Sequence, residues 1–197
     1  MNRNVLDKGW VELQEFMGSD QVILGEAKTC TEKEARNPFG LMLFMLKHGH
    51  NVCFEHAVFR FKFRAPIFVA RQHMRHRIGT FTERSGRKCG FGDFYVPDGM
   101  STLSKAIYCS RMTDCLHGYQ TMVGDGMKRE QARGVLGTAF YTEYTWTVNL
   151  WSLFNWLNKR REKGAQWEHR QYADAVLDIL NSMFEFEMVM KAYANVE

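Results

Sequence analysis

The residues best suited to chemistry lie in one short stretch where arginines and histidines are concentrated. Arg71–Arg77 holds three arginines and two histidines within seven residues. Guanidinium groups stay charged and offer paired N–H donors that match phosphate oxygens. The residues that follow add a carboxylate, a hydroxyl, a glycine and a further cation at Glu83, Ser85, Gly86 and Arg87. This combination indicates a phosphate-monoester site in which Glu83 holds a sugar hydroxyl and the glycine lets the backbone approach.

Two other interpretations of this basic stretch stay open. One is a solvated helix face, but the apolar residues of Pro66–Ala70 indicate partial burial, and buried cations need partners. The other is an RNA-binding module, since arginines and aromatic residues interleave nearby. Against RNA binding, acidic residues are scattered among the basic ones, and the net charge of +4 is modest.

Hydrophobic patterning predicts the elements that position the basic stretch. Phenylalanines alternate with basic residues, which predicts a half-buried strand over Cys53–Arg64. A proline can then begin a helix that continues over Ile67–His76. On that helix Gln72, Arg75 and His76 would share one face, because they are three and four residues apart.

The rest of the chain predicts an α+β protein whose sheet topology the pattern leaves open. Ser85–Gly99 is rich in glycine and is predicted to be a loop. A second alternating pattern predicts a strand over Phe140–Val148. Helical periodicity is present in five further segments, Glu34–Lys47, Ser101–Met122, Lys128–Leu136, Leu150–Arg161 and Gln166–Tyr193.

The composition is that of an ordinary globular protein. With 197 residues, of which 45% are hydrophobic and 24% charged, the chain suits a single domain over residues 1–197. We see no secretory signal, and the apolar runs are too short to cross a bilayer. The five cysteines are an odd number without a CxxC pair, so we expect reduced thiols in a cytoplasmic protein. No cluster of ligands indicates a metal site.

The basic stretch is one of several segments that match a known family. Its centre is the triplet Arg75-His76-Arg77, followed by Glu83-x-Ser85-x-Arg87. Further matching segments occur in the same order along the chain: Lys47-His-Gly-His50, Phe54-Glu-His56, Ala65-Pro-Ile-Phe-Val-Ala-Arg-Gln72, Trp146-Thr-Val-Asn149, Asn155-Trp-Leu-Asn158 and Ala165-Gln-Trp-Glu168. Together they resemble the flavin-dependent thymidylate synthases. The resemblance implies a single domain with an antiparallel sheet flanked by helices.

The resemblance also implies two overlapping sets of binding residues. Those that match dUMP-binding positions are Gln72, Arg75, Glu83, Ser85, Gly86, Arg87 and Arg133. Those that match positions around FAD are His50, Arg75, His76, Arg77, Glu83, Asn149 and Asn155. The family binds these ligands at the interfaces of a homotetramer, so one site would combine residues from several chains.

The reaction that the resemblance implies is a reductive methylation. It would convert dUMP to dTMP, with methylenetetrahydrofolate as the one-carbon donor, NADPH as the reductant and FAD as the hydride carrier. Arg160 matches an arginine that ionises the uracil at N3, and a permanent cation can stabilise that anion without a covalent bond. A related enzyme that makes 5-hydroxymethyl-dUMP, or one that acts on a different pyrimidine nucleotide, would need the same contacts.

Some positions depart from the family pattern or have simpler explanations. Trp151 stands where an arginine is usual beside the flavin adenine-diphosphate, and Val52 and Cys30 replace hydroxyl residues. These losses predict weakened FAD binding and would suit a divergent member, such as a viral one. Asn149 can also be a helix cap, and Arg160 can be a cation favoured at a helix C-terminus.

Overall fold

The computed structural model describes residues 1–196 and contains a five-stranded antiparallel sheet. Its strands are β1 Asn2–Val5, β2 Gly9–Met17, β3 Val58–Pro66, β4 Thr80–Glu83 and β5 Tyr141–Asn149. They are ordered β1-β2-β3-β5-β4, so the two strands predicted from the sequence, β3 and β5, are neighbours inside the sheet. The α+β class and the antiparallel sheet are confirmed.

The described residues also form nine α-helices. These are α1 Asp20–Thr31, α2 Pro38–His48, α3 Val52–Glu55, α4 Ile67–His73, α5 Thr102–Gly124, α6 Arg129–Ala132, α7 Leu150–Arg161, α8 Trp167–Asn181 and α9 Glu187–Ala194. Short 3₁₀ turns at Arg133–Val135 and Phe184–Phe186 follow α6 and precede α9. The predicted bounds of α7 are confirmed, and α5 lies within two residues of its prediction.

Alternation along β3 and β5 sorts their side chains between two faces of the sheet. Phe61 lies opposite Trp146, and Phe63 lies opposite Tyr144. These four aromatic side chains are buried, whereas Lys62 and the other basic residues of β3 lie on the second face. Aromatic pairs on neighbouring strands stabilise a sheet, so the core is built on this central pair.

Strand β3 begins later than the sequence predicted. Residues 52–55 form the short helix α3, and the strand starts only at Val58. Cys53 and Phe54 are buried in this helical turn. The prediction began the strand at Cys53 because these residues are apolar, but they are apolar because they pack in this helical turn.

Helix α4 is shorter than predicted. The prediction that Gln72, Arg75 and His76 share one face of this helix is therefore wrong. The helix ends at His73, and the chain turns there, with the N–H of His76 donating to the carbonyl of His73 at 2.9 Å. Arg75 and His76 therefore lie in a turn beyond the helix that carries Gln72. Tertiary contacts, rather than helical spacing, bring these side chains together.

The single helix predicted over Gln166–Tyr193 is in fact two helices. α8 ends before Met183, whose backbone is extended. The Asp20 carboxylate of α1 then accepts the N–H groups of Met188 at 2.6 Å and Val189 at 3.0 Å. This carboxylate satisfies free donors at the start of α9, so the break is stabilised by a distant residue.

Two other predicted helices differ at their ends. The helix predicted over Glu34–Lys47 begins only at Pro38, because the Asn37 side chain accepts the N–H of Gly40 at 2.9 Å and caps it there. The helix predicted over Lys128–Leu136 is the four-residue α6 followed by a 3₁₀ turn.

The core and one exposed helix differ sharply in burial. The largest fully buried side chains include Trp146, Trp156, Tyr144 and Tyr172, from β5, α7 and α8. By contrast, α5 has 23 residues and buries only Tyr119. Among the residues that the structure describes, no helix is long and apolar enough to span a membrane.

Candidate active site

A hydrogen bond between Arg160 and His76 joins two elements that are distant in sequence. Arg160 lies in the last turn of α7, and its Nε–H donates to Nε2 of His76 across 3.0 Å. A second donor, Nη2, reaches the backbone carbonyl of Gln72 at 3.4 Å. The two contacts hold the guanidinium against the end of α4 and bring three of the predicted residues together.

Arg160 is a half-buried cation that forms no ion pair with a carboxylate within residues 1–196. Burial lowers the pKa of Arg160, and the nearby charge of Arg75 lowers it further, while Glu162 opposes both effects. A desolvated charge without a counter-ion is costly. The position is therefore suited to an anionic ligand.

His76 is held in its neutral form. Burial lowers the pKa of His76 to about 4, and the charges of Arg160 and Lys159 add to the effect. A guanidinium can only donate, so Nε2 of His76 carries the lone pair and Nδ1 carries the proton. His76 thus offers a neutral N–H donor beside the Arg160 cation.

A second set of polar residues, which was not predicted from the sequence, lies behind Gln72. His169 is fully buried, and its Nε2 accepts the indole N–H of Trp156 at 3.3 Å. Its Nδ1 is 3.5 Å from Oε1 of Gln72, whose Nε2 donates to Oε1 of Gln166. A signal for His169 existed in the sequence, because it precedes Tyr172 by three residues on the apolar stripe of α8.

His73 faces the core instead of joining the basic residues around it. Its Nδ1 is 2.8 Å from the Tyr144 hydroxyl, and its ring stacks on Trp156 with 4.8 Å between centroids. Burial drives the pKa of His73 well below its usual value, with smaller contributions from His169, His76 and Arg160. The prediction that both histidines of Arg71–Arg77 belong to one anion site is therefore wrong for His73.

Three of the predicted nucleotide-binding residues meet elsewhere, in a cavity of about 500 Å³. Glu83, Gly86 and Arg133 line it. The Thr142 hydroxyl donates to Oε1 of Glu83 at 2.8 Å and fixes the carboxylate at the end of β4. Gly86 is buried under the Arg133 guanidinium, where a Cβ would lie 2.7 Å from Nη1. A side chain at this position would displace the arginine. Sequence reasoning missed Arg84 and Phe91, which also line the cavity.

Ser85 and Arg87 line a neighbouring cavity of about 770 Å³. Glu130 borders both cavities and forms an ion pair with Arg87. The Ser85 hydroxyl accepts the N–H of Arg87 at 3.3 Å. Because exposed ion pairs contribute little stability, Arg87 can exchange this partner for a ligand phosphate at low cost.

The predicted dUMP-binding residues therefore form two groups within one chain. We call Gln72, Arg75, His76 and Arg160 the α4–α7 cluster, and Glu83, Ser85, Gly86, Arg87 and Arg133 the β4-loop cluster. Among the described residues, no hydrogen bond or ion pair joins one cluster to the other, although Arg71 and Met74, next to Gln72 and Arg75 in the chain, line the cavity of about 500 Å³.

His50 lies in a third place, a cavity of about 670 Å³ lined by α1, α2 and α3. Its ring centroid is 5.6 Å from that of Phe44. Cys30 and Val52, the positions that depart from the family pattern, line the same cavity. Its lining is mainly apolar, with Leu41 and Phe44 among the contributors, so it suits a planar ring and offers few polar donors.

The other predicted flavin residues surround α7 or lie on the surface. Asn149 caps α7, because its Oδ1 accepts the N–H three residues further on at 2.8 Å; the cap interpretation is confirmed. Asn155 and Arg77 are exposed. Trp151, which stands where an arginine is usual, stacks on Phe54 with 6.1 Å between ring centroids. It offers packing, not a cation.

Cysteine and metal-ligand positions add no further site to these clusters. All five cysteines are free thiols, and Cys89 is half-buried in the loop after β4. In the part of the chain that the structure describes, no group of three or more His, Cys, Asp or Glu side chains is placed to hold a metal ion.

Sequence comparisons relate this chain to known proteins. A family profile described as thymidylate synthase complementing protein matches residues 12–184. A flavin-dependent thymidylate synthase of Thermosipho africanus is 37% identical over 216 residues, which cover 97% of this chain and 95% of that protein. Its counterpart in Thermotoga neapolitana is 40% identical over 187 residues, with coverage of 89% and 87%.

A solved structure extends the likeness to the fold. The UMP/dUMP methylase PolB from Streptomyces cacaoi, bound with 5-Br dUMP, has a TM-score of 0.87 at 25% identity. The match covers 98% of this chain and 97% of that chain. Matched length, identity and fold together show that the chain belongs to the family of flavin-dependent thymidylate synthases.

Proposed function

We propose that the chain methylates dUMP to dTMP, with methylenetetrahydrofolate, NADPH and FAD. The observation that carries this proposal is Arg160, a half-buried guanidinium that forms hydrogen bonds with His76 and Gln72 but has no carboxylate counter-ion among the described residues. A uracil ionised at N3 is a delocalised anion, and a fixed cation such as Arg160 can stabilise it. Its C5 atom then becomes the nucleophile that takes the one-carbon unit.

In this proposal, one residue of the chain supplies positive charge and the others position the substrate through hydrogen bonds. Arg160 supplies a permanent positive charge, and it cannot act as a general base because it stays protonated. His76 is neutral, so its Nδ1–H can donate to a ligand without adding charge. Glu83, Ser85 and Arg87 offer an acceptor for a sugar hydroxyl and donors for a phosphate, as the sequence suggested.

The reaction balances with the named co-substrates. The methylene of methylenetetrahydrofolate replaces the hydrogen on C5 of the uracil, which leaves as a proton, and tetrahydrofolate is released. A hydride then completes the methyl group. NADPH is the source of that hydride's electrons. When bound, FAD supplies the hydride transfer that side chains cannot perform. Because these co-substrates are metabolites of the cytoplasm, we place the proposed activity there.

The cavity around His50 fits part of a flavin cofactor. Its apolar lining, including Leu41 and Phe44, suits a planar ring, and His50 and Lys33 add polar groups at its border. Cys30 and Val52 remove hydroxyl donors from the same lining. The residues present thus support a flavin ring better than a diphosphate, which is consistent with weakened FAD retention.

The separation of the two clusters supports a site shared between chains. Gln72 and Arg160 belong to one cluster, whereas Ser85 and Arg133 belong to the other. A second copy that brings its β4-loop cluster to the first copy's α4–α7 cluster would let one nucleotide contact both clusters. The assembly that we propose is a homotetramer, as the family resemblance implies, in which symmetric interfaces would close each site.

UMP is a second candidate substrate, since the solved neighbour is a UMP/dUMP methylase and was also solved with 5-Br UMP. Product analysis separates the candidates. Purified protein is incubated with FAD, NADPH, methylenetetrahydrofolate and either dUMP or UMP, and the nucleotide is analysed by mass spectrometry. We expect dTMP from dUMP. A product heavier by one oxygen would indicate hydroxymethylation instead, and conversion of UMP alone would reassign the substrate.

Mixed oligomers test the shared site. Arg160→Ala removes a residue of the α4–α7 cluster, and Arg133→Ala removes one of the β4-loop cluster. Each variant alone should be inactive, but co-expressed chains with two different tags should regain activity. In random hybrids about a quarter of the sites combine both intact clusters. Hybrids without activity would show that each site is built within one chain.

A further inference from the structure

We propose that His169 is a positioning residue that orients the side-chain amide of Gln72 for the pyrimidine nucleotide, an inference that rests on the proposed function. His169 itself is fully buried in α8 and can touch no ligand. Its effect would pass through Gln72, which lies at the surface of the core between α4 and the N-terminus of α8.

The tautomer of His169 follows from its partner. The indole N–H of Trp156 can only donate, and it points at Nε2 of His169 across 3.3 Å. Nε2 must therefore carry the lone pair, which leaves the proton on Nδ1. Burial lowers the pKa of His169 to about 3, with Arg160 and His76 adding to the effect, so the ring stays neutral.

The tautomer in turn determines which way the Gln72 amide faces. Nδ1–H of His169 needs an acceptor, and Oε1 of Gln72 is 3.5 Å away. With its oxygen turned towards His169, Gln72 directs its NH₂ group towards Oε1 of Gln166, to which it donates. In the series Trp156, His169, Gln72, Gln166, each side chain thus donates a hydrogen bond to the next one. An amide NH₂ has two hydrogens, so one remains for a ligand.

The series is anchored in the buried core. Trp156 is fully buried, and its ring stacks on His73 at 4.8 Å between centroids. Gln166 is the residue before α8, three positions before His169, so the start of one helix holds Gln72 at two points. Arg160 adds a third contact through the Gln72 backbone carbonyl at 3.4 Å.

The competing explanation is that His169 only satisfies the buried N–H of Trp156. Two substitutions separate the two roles because each keeps one ring nitrogen's function. In His169→Asn the amide occupies the place of Nδ1 and can still donate to Gln72. In His169→Gln the longer side chain reaches the place of Nε2 and can still accept from Trp156, but its donor to Gln72 is lost.

Calorimetric titration of the FAD-loaded protein with dUMP gives the measurement. We expect His169→Gln to weaken dUMP binding about tenfold, the scale for losing one oriented polar contact. His169→Asn should stay close to wild type. In steady-state assays the Gln variant should raise KM and leave kcat nearly unchanged. Equal losses in both variants, or no loss in either, would overturn the inference.

A double-mutant cycle measures whether the effects of His169 and Gln72 on dUMP binding are coupled, which a purely structural role of His169 does not predict. If His169 acts through Gln72, then His169→Gln should have no further effect on dUMP binding once Gln72→Ala is present. Additive losses would contradict the inference. Nitrogen-15 NMR of histidine-labelled protein checks the tautomer directly, and a proton on Nε2 of His169 would also overturn it.

Failure of the proposed function gives a different result from failure of this inference. A wild-type protein that binds no dUMP overturns both. A wild type that binds and methylates dUMP, with the Asn and Gln variants equally impaired, overturns the positioning role alone.

Discussion

Nε of Arg160 donates to Nε2 of His76 across 3.0 Å, and this bond joins the end of α7 to the turn after α4. The two residues are 84 positions apart in the chain. The bond fixes the plane of the guanidinium and at the same time selects the His76 tautomer. A permanent cation and a neutral donor are thus held side by side at a position that favours an anion.

Arg160→Ala should therefore lose activity without losing the fold. We expect turnover to fall about a hundredfold or more, the scale for deleting an electrostatic stabiliser. FAD binding should survive, since Arg160 lines no part of the cavity around His50. Steady-state kinetics beside a flavin titration provide the measurement.

Cys89→Ala is the matched control for a covalent mechanism. Uracil methylation can also proceed by cysteine attack, and Cys89 lies in the loop after β4, close in sequence to Ser85 and Arg87. We expect this variant to keep most of its activity. An inactive Cys89→Ala that still binds FAD and dUMP, beside a fully active Arg160→Ala, would contradict the electrostatic mechanism.

Two buried histidines should make stability fall in acid. The pKa of His169 is lowered to about 3 and that of His73 lies well below its usual value, in both cases chiefly through burial. Below a pH of about 6.5 the unfolded chain binds protons that the folded chain cannot, so the free energy of unfolding decreases as pH falls. These two protons alone bring the slope to about 2.7 kcal/mol per pH unit. His76, whose pKa is lowered to about 4, adds a smaller contribution because it is only half-buried.

Urea unfolding at a series of pH values between 7.5 and 4.5 measures this slope. His169→Asn removes one titrating group and should reduce the slope by about 1.4 kcal/mol per pH unit. A free energy of unfolding that stays constant over this range would show that His73 and His169 are protonated as readily in the folded protein as in the unfolded chain.

The cavity around His50 should bind FAD more tightly when its hydroxyl groups are restored. Cys30→Ser combined with Val52→Thr adds two hydrogen-bonding groups, which should raise FAD affinity about tenfold. Quenching of flavin fluorescence measures binding without reference to activity. Cys109→Ser on α5 is the control, because Cys109 does not line this cavity. Wild-type protein that binds no FAD even at high concentration would contradict the assignment of the cofactor.

A helix or strand was predictable where the residues of one short segment are enough to define it. α7 has a cap at Asn149 and basic residues in its last turn, so both of its ends are encoded locally. β3 and β5 alternate over their whole length. β2 escaped prediction because it is buried only in its first half, from Gly9 to Leu13, and β4 because it buries little besides part of Phe81. α1 has few apolar residues on its inner face, of which Ile23 and Ala27 are buried.

The site was predictable as a set of residues but not as an arrangement. Family-like segments identified Gln72 and Arg160, yet their contact depends on how α4 packs against α7. The convergence of Glu83 and Arg133 on one cavity likewise depends on tertiary structure, because 50 positions separate them in the chain. His169 escaped because nothing in its local sequence shows that its buried ring faces a polar side chain.

The exposed face of α5 should contribute to subunit assembly. Leu103 and Ile107 are 71% and 54% exposed, and their spacing of four residues places them on one side of a helix that buries only Tyr119 in its own chain. An apolar face of this kind is suited to a second copy, which the proposed shared site requires. We expect Leu103→Glu combined with Ile107→Glu to dissociate the tetramer, because association would bury two charges without partners. Gln120→Glu, at an exposed position roughly 100° around the helix from Leu103 and roughly 140° from Ile107, should leave assembly unchanged.

Light scattering coupled to gel filtration gives the molar mass of each variant, and circular dichroism confirms that each retains its helices. Dissociated chains should also lose methylation of dUMP, because the α4–α7 cluster would no longer meet a β4-loop cluster from another copy. A double variant that remains tetrameric would exclude this face of α5 from the interface. A stable monomer with full activity would contradict the proposal that the site is shared between chains.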